Sequence, residues 1–425
     1  MSFAASQAGK LRFYITRLRE RLWVKPLMIS VLSILAAFLA GLPDELGLSG
    51  VPAITADSLE TLLSILSASM LVIAVFALGA MLSAYASASS AATPRSFSVT
   101  VSDDVSQNAL STFIGAFIFS IIALIALKNG YYEAAGRFAL FLMTIAVFCV
   151  VVLGFVRWAD RIARLGRLGT TVDKIEAAAA RALRERAGRP TLGARIATQP
   201  ATGVPVHAAE IGYVQRIDVA RLQRLAEQRE ARITVAALPG TFAAPGQVLA
   251  FVDAASEQLA DPENGNDAIA EAFVIGGDRT YDEDPRFGLV VLAETASRAL
   301  SPAVNDPGTA IDIIGTLVRL FALWAGASDR DGAQSDWEYD RVAVPEIAVE
   351  DMFDDAFNAI ARDGAGTLEV GIRLLKGLQA LAGLGDEAMR ATAVDHARYV
   401  VRHAELALQL PEDLARLHAT AEWAR

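Results

Sequence analysis

The chain has 425 residues, of which 53% are hydrophobic, above the range of ordinary soluble proteins, and a mean hydropathy of +0.38. Residues 1–170 hold 13 Lys+Arg against 9 Asp+Glu, whereas residues 171–425 hold 25 against 39. That acidic second part repels phosphate backbones and argues against nucleic acid as a partner, and a lone cysteine, Cys149, excludes an internal disulfide or a Cys-based metal site. Cys149 lies inside an apolar run and is expected to be buried, inert packing.

Six basic residues (Lys10, Arg12, Arg17, Arg19, Arg21 and Lys25) precede the first apolar run. The flank resembles a signal peptide, but Leu42-Pro43-Asp44 is a poor cleavage site and three more apolar runs follow, so the run reads as a retained helix. The four runs are Pro26–Leu42, Leu62–Ala84, Ala109–Leu127 and Phe138–Val156, and none contains Asp, Glu, Lys, Arg or His. Each approaches the ~20 residues that cross a bilayer. The basic flanks fall before the first run and after the fourth, at Arg157, Arg161, Arg164 and Arg167. The positive-inside rule then puts both termini in the cytoplasm, with Trp23 and Trp158 at the interface.

The second run ends in small residues, and Gly79, Ser83, Ser87 and Ser90 share one helix face. Such a face allows close helix packing, or it lines a water-filled pore; these are the candidate pore-lining residues.

Thr171–Ala187 reads as an amphipathic helix leaving the membrane, and Gly188–Pro205 as a linker. A β pattern follows in Gly212–Asp218, Ala231–Leu238 and Val248–Asp253, with a short helix at Val219–Gln228. The phrase Leu238–Leu249 resembles the turns of biotinyl/lipoyl-like modules, without their modified lysine. The rest is predicted helical near Asn266–Val274, Pro285–Leu300, Pro307–Leu323, Val349–Arg362, Thr367–Ala382, Glu387–Leu410 and Pro411–Trp423, with Asp331–Arg341 as a loop. The expected fold is a four-helix transmembrane α-helical domain plus a cytoplasmic α+β domain. Its divisions are a basic segment 1–25, a transmembrane domain 26–158, a connecting helix and linker 159–205, a small β module 206–253 and a mainly helical domain 254–425.

The densest local pattern is Arg279-Thr280-Tyr281-Asp282-Glu283-Asp284-Pro285-Arg286-Phe287-Gly288-Leu289, continuing through Arg298–Ala310 with Ser301-Pro302 and Asn305-Asp306-Pro307. Each Asp-Pro pair is a helix start, with Asp as the N-cap and Pro at the first helical position. Two such starts around one helix make a structural corner. The alternative is that Asp282, Glu283, Asp284, Asn305 and Asp306 gather oxygen ligands for a hard cation or another ligand. His207, His396, His403 and His418 lack metal-pair spacing, and no nucleotide-binding or nucleophile motif occurs. No catalytic residue and no cofactor are therefore assigned.

The order of these residues resembles the DUF2254 family of predicted bacterial membrane proteins. So do the four apolar runs, the Gly212-Tyr213-Val214-Gln215-Arg216-Ile217-Asp218 phrase, and Thr93-Pro94-Arg95, where the family usually has Ser-Pro-Arg. The chain departs from the family pattern at Glu283 (often Gln), Val290 (basic) and Glu294-Thr295-Ala296 (Asp-Ile-Ala). The resemblance implies the architecture and no particular chemistry. Three function classes stay open in this order: an oligomeric inner-membrane channel gated by the acidic domain, a membrane-anchored sensor or scaffold, and a cytoplasmic-face enzyme. The expected partners are the lipid bilayer and further copies of the chain, with an ion or small ligand unidentified.

Overall fold

The computed structural model describes residues 23–46, 50–91, 93–96, 104–164, 168–197, 201–254, 266–328 and 337–425, in two compact units, 1–171 and 172–425. Most of the expected N-terminal basic segment and the Asp331–Asp336 part of the expected loop lie outside the described residues.

In the first unit, α1 (Val24–Leu39) leads through a short α2 (Leu42–Glu45) to α3 (Ala56–Ala91), α4 (Asp104–Lys128) and α5 (Ala134–Arg164). The long helices overrun the apolar runs because polar ends outside the hydrocarbon continue the same backbone ladder. α4 is central and packs on α1, α3 and α5. At Gly115 a side chain would collide with Ile29, so glycine sets the close approach of α1 and α4. The first and third connections share one end of the bundle. Asp44 accepts the backbone N–H groups of Glu133 and Gly136 at 2.8 Å each, and Glu60 pairs with Lys128 at 2.6 Å.

Two expectations for this unit are corrected. Cys149 is exposed on the outer surface of α5, where a bundle in lipid is as apolar as in its centre, so an apolar run does not distinguish the two faces. Trp158 is buried inside the bundle against Phe76, Phe113 and Phe155, because its large ring fills the space between α3, α4 and α5. Trp23 is exposed.

α6 (Leu168–Gly188) precedes a region of two sheets. The larger has the strand order β1-β8-β4-β6-β2, from β1 (Ala194–Ile196), β2 (Val204–His207), β4 (Ala231–Val235), β6 (Val248–Ala254) and β8 (Tyr339–Val344). The smaller, β5-β3-β7, joins β3 (Gly212–Ile217) to β5 (Phe242–Ala243) and β7 (Phe273–Gly276). Helix α7 (Val219–Gln228) lies against β4 and β8. The strands thus reach beyond 206–253. β8 starts within the expected loop, and its Val342 and Val344 enter the sheet core, where pairing with distant β1 and β4 overrides its polar start. The helix expected over Asn266–Val274 is corrected too: α8 (Asn266–Ala270) stops early, and Phe273–Gly276 pairs with β3 instead.

The remaining helices are α9 (Pro285–Ala299), α10 (Pro307–Ser328), α11 (Val349–Asp363), α12 (Leu368–Leu384), α13 (Glu387–Ala407) and α14 (Pro411–Thr420). Their core centres on Phe321, Phe353 and Phe357, whose rings lie 4.6–5.4 Å apart. Among the described residues, five helical segments are long and apolar enough to cross a membrane: Val24–Glu45, Ala56–Ser87, Val105–Lys128, Ala134–Ile162 and Pro307–Gly326. The fifth belongs to α10, which packs on α9 and α12 and buries Ile313, Ile314, Leu317, Leu320 and Phe321 completely or nearly so.

Candidate functional site

α6 approaches α9 closely beside the motif, at Ala179 and Gly288. Val172, Ile175, Ala179, Ala182, Leu183 and Arg186 recur at helical spacing on the buried face of α6. Gly288 of α9 meets Ala179 so closely that a side chain there would collide with it. Seven residues after Ala179, on the same face, comes Arg186. It reaches the charged segment that precedes α9, because both Glu283 and Asp284 act on its guanidinium.

Asp284 is only 2% exposed. It accepts the backbone N–H groups of Arg286 and Phe287 at 3.1 and 3.2 Å, with Pro285 at the first helical position. Arg279 donates to it through Nε and Nη2 at 2.7 and 3.0 Å, a two-pronged ion pair. Burial pushes its carboxyl up, against the pull of Arg279 and the two N–H groups. Gly240, at φ +94°, brings the Pro239-Gly240 turn against this carboxylate where a side chain would not fit. On the other side Arg286 donates to Asp355 and Asp351 at 2.6 Å each. Of these groups, Gly240, Arg279, Asp284, Arg286 and Asp351 border a cavity of about 280 Å³. Asp284 and Arg286, the buried and half-buried charges that link α9 to this cavity, have partners within the chain.

The second cavity, about 290 Å³, is lined by Arg186, Arg189, Arg216, Asp218, Asp282 and Glu283, together with Val219 and Ala220 at the start of α7. Arg216 Nε lies 3.1 Å from Glu283 Oε1. Burial pushes the Glu283 carboxyl up to about 7, although Arg216, the Ile217 N–H and Arg186 pull it back. Asp218 caps α7 by accepting the Arg221 N–H at 3.0 Å. Arg189 is exposed and paired with Glu338, and Asp282 is exposed. Arg186 differs from all of these. It is 4% exposed, and its Nε and Nη1 have no hydrogen-bond partner among the described residues. Burial pushes its guanidinium down to about 10, with Glu283 and Asp284 opposing, so it stays charged at neutral pH.

Asn305 and Asp306 lie beyond the other end of α9, whose 15 residues span about 22 Å at ~1.5 Å per residue. Asp306 accepts the Thr309 N–H at 3.1 Å and the Thr309 hydroxyl at 2.6 Å, which holds the start of α10. Those two hydrogen bonds hold its carboxyl below the usual range. Asn305 adopts φ +50°, a left-handed conformation that asparagine tolerates better than most residues. Asp282 and Glu283 therefore share a cavity, Asp284 borders the neighbouring one, and Asn305 and Asp306 join neither. Among the described residues, no group of three or more His, Cys, Asp or Glu is placed to hold a metal ion.

In the first unit, the buried face of α3 carries Leu59, Leu63, Leu66, Met70, Ala74, Ala77, Met81 and Tyr85. Gly79, Ser83 and Ser87 are exposed on the opposite side, and the side chain of Ser90 lies outside the described residues. Along the same stripe stand exposed Ile65, Val72, Val75 and Phe76, so small residues occupy only its C-terminal end. His396 is buried against Phe353, with ring nitrogens 2.9 Å from the Thr392 carbonyl and 3.1 Å from Asp354.

Arg216, Arg279 and Gly240 stood in quoted motifs without an assigned role, and Arg186, which completes the second cavity, stood in none. For Arg186 a signal existed: a charged residue continuing the apolar stripe of an amphipathic helix is buried by its position.

The family described as "Predicted membrane protein (DUF2254)" matches residues 19–380. Uncharacterized proteins of Mycobacterium bovis (strain ATCC BAA-935 / AF2122/97) and Mycobacterium tuberculosis (strain ATCC 25618 / H37Rv) are each 31% identical over 138 residues, 32% of this chain and 26% of theirs. One from M. tuberculosis (strain CDC 1551 / Oshkosh) is 30% identical over the same length. The chain spans about a quarter of the length of these relatives (26%). No solved structure matches.

Proposed function

The chain belongs to the DUF2254 family of predicted membrane proteins, and from that premise we propose that it is a membrane-anchored sensor. Helices α1, α3, α4 and α5 are its four membrane spans, both termini are cytoplasmic, and the membrane is the inner (plasma) membrane. α10 is a core helix of the soluble unit, because its apolar side chains are taken up by α9 and α12. The soluble unit receives a small solute, and the spans anchor it and assemble it into homo-oligomers. No enzymatic activity is assigned.

The observation that carries this reading is the position of the motif: Asp282 and Glu283 line a charged cavity in the soluble unit. A few convergent polar groups in a concave site are the usual makings of a small-molecule pocket. A second reading, a pore formed between copies, is favoured by one feature, the outward-facing Gly79, Ser83 and Ser87. The bulky apolar residues on the same stripe fit contact with lipid or another copy better than a water-filled wall.

Flux through liposomes containing the purified chain separates the two. The sensor passes no ions above empty liposomes. Conductance that falls when Ser83 is replaced by Trp would establish the pore instead. Reporter fusions after residues 50, 100, 133 and 170 should read out, in, out and in, and an external signal at 170 would overturn the anchoring scheme.

A further inference from the structure

We propose that the cavity between α6, β3 and the start of α7 binds a small oxyanion, a carboxylate or a phosphate, through the Arg186 guanidinium. This deepens the sensor reading and rests on it.

The first observation is Arg186 itself. Buried N–H donors without acceptors are destabilising even where carboxylates act on the charge, as Glu283 and Asp284 act on Arg186. Here the guanidinium is 4% exposed, and Nε and Nη1 find no acceptor among the described residues. Guanidinium presents its N–H groups in a planar fork that matches the two oxygens of a carboxylate or phosphate. The unused donors therefore define the missing chemistry: paired oxygen acceptors carrying negative charge.

The second observation is the surroundings. Val219 and Ala220, the first residues of the ten-residue α7, line the same cavity, and a helix start favours anions through its free N–H groups. Asp218 already uses the Arg221 N–H, so the lining residues Val219 and Ala220 are the part of that helix start nearest an occupant. Arg189 and Arg216 border the space as well. Arg189 is held at its rim by Glu338, and Arg216 beside Glu283.

The carboxylates decide the size and selectivity of what can enter. Glu185, Asp218, Asp282 and Glu283 also line the cavity. A polyanion would meet them, so the site suits a small oxyanion with one anionic head. About 290 Å³ is at the lower end of ligand pockets, which agrees with a small occupant.

The test uses the full chain in nanodiscs of phosphatidylcholine, a lipid with no net charge. Inorganic phosphate and propionate are titrated separately, with binding read by calorimetry and by thermal stabilisation. Saturable binding of either is expected, and the arm that saturates identifies the head group. Arg186→Met should weaken it roughly 10- to 100-fold, the range for a lost charge-assisted hydrogen bond. Arg189→Gln, a change at an exposed side chain, should weaken it less and serves if Arg186→Met does not fold. No saturable binding of either anion, or unchanged affinity in both variants, overturns the proposal. Saturable binding of a neutral or cationic solute, lost in Asp282→Asn but not in Arg186→Met, overturns the anion assignment and leaves the sensor standing. The sensor fails separately, through liposome flux.

Discussion

Glu283 and Asp284 are neighbours in the chain, yet they border cavities of opposite character. Asp284 faces a closed arrangement: Arg279 grips its carboxylate and two N–H groups at the start of α9 donate to it. Glu283 faces an open one, in which Arg216 is close but the more deeply buried Arg186 keeps unused donors. Both cavities have similar volumes, so size does not distinguish them. What distinguishes them is whether the chain satisfies its own buried charge. Satisfied charge holds a corner in place. Buried donors without acceptors are costly to the fold, and a bound anion would offset that cost.

The comparison breaks most readily on the closed side. Replacing Asp284 by Ala strands the half-buried Arg279 and removes the cap of α9. Removal of one partner of a buried pair costs about 3–5 kcal/mol. Unfolding of the detergent-solubilised chain should show a loss of that size, and a loss below about 1 kcal/mol would mean that the latch contributes little.

On the open side the expected effect is smaller and depends on pH. The Glu283 carboxyl titrates near 7 in the folded protein, against an ordinary value of 4.5. The folded state therefore holds this proton more tightly. Its contribution to stability is complete below pH 4.5 and is lost as pH rises through 7. Partial exposure reduces the size of the effect, to about 1–2 kcal/mol. Glu283→Gln should flatten the stability profile between pH 4.5 and 7. An unchanged slope in that variant would remove Glu283 from the account.

At the far end of α9 the effect is smallest. Asp306→Ala loses an exposed N-cap, about 0.5–2 kcal/mol, while Asp306→Asn keeps most of the capping and should be nearly neutral. If added Mg²⁺ or Ca²⁺ stabilises the wild type and Asp306→Asn loses that gain, this corner binds a cation and is not purely structural.

The corner was legible in the sequence because its code is local. Asp284-Pro285 and Asp306-Pro307 each place a cap and a helix start within two residues, and α9 and α10 begin there. The apolar runs were legible for the same reason, although a run alone could not say that Trp158 turns into the bundle. The larger sheet was hidden because β1 and β8 pair across more than 140 residues of sequence. The candidate site was only half visible. Asp282 and Glu283 stood out in the motif, whereas Arg186 is nearly 100 residues away and reaches them only because Gly288 lets α6 and α9 touch.

The most direct test is to replace each arginine by an apolar side chain of similar length and compare apparent melting temperatures without added ligand. Arg279 is matched by its own chain, so Arg279→Met should lower the melting temperature, leaving Asp284 buried and unpaired. If Arg186 is kept for a ligand at the expense of the fold, Arg186→Met should raise it by about 2 °C or more. A fall in both variants would show that Arg186 is as structural as Arg279, and would contradict the claim that the open side of the motif is a binding site.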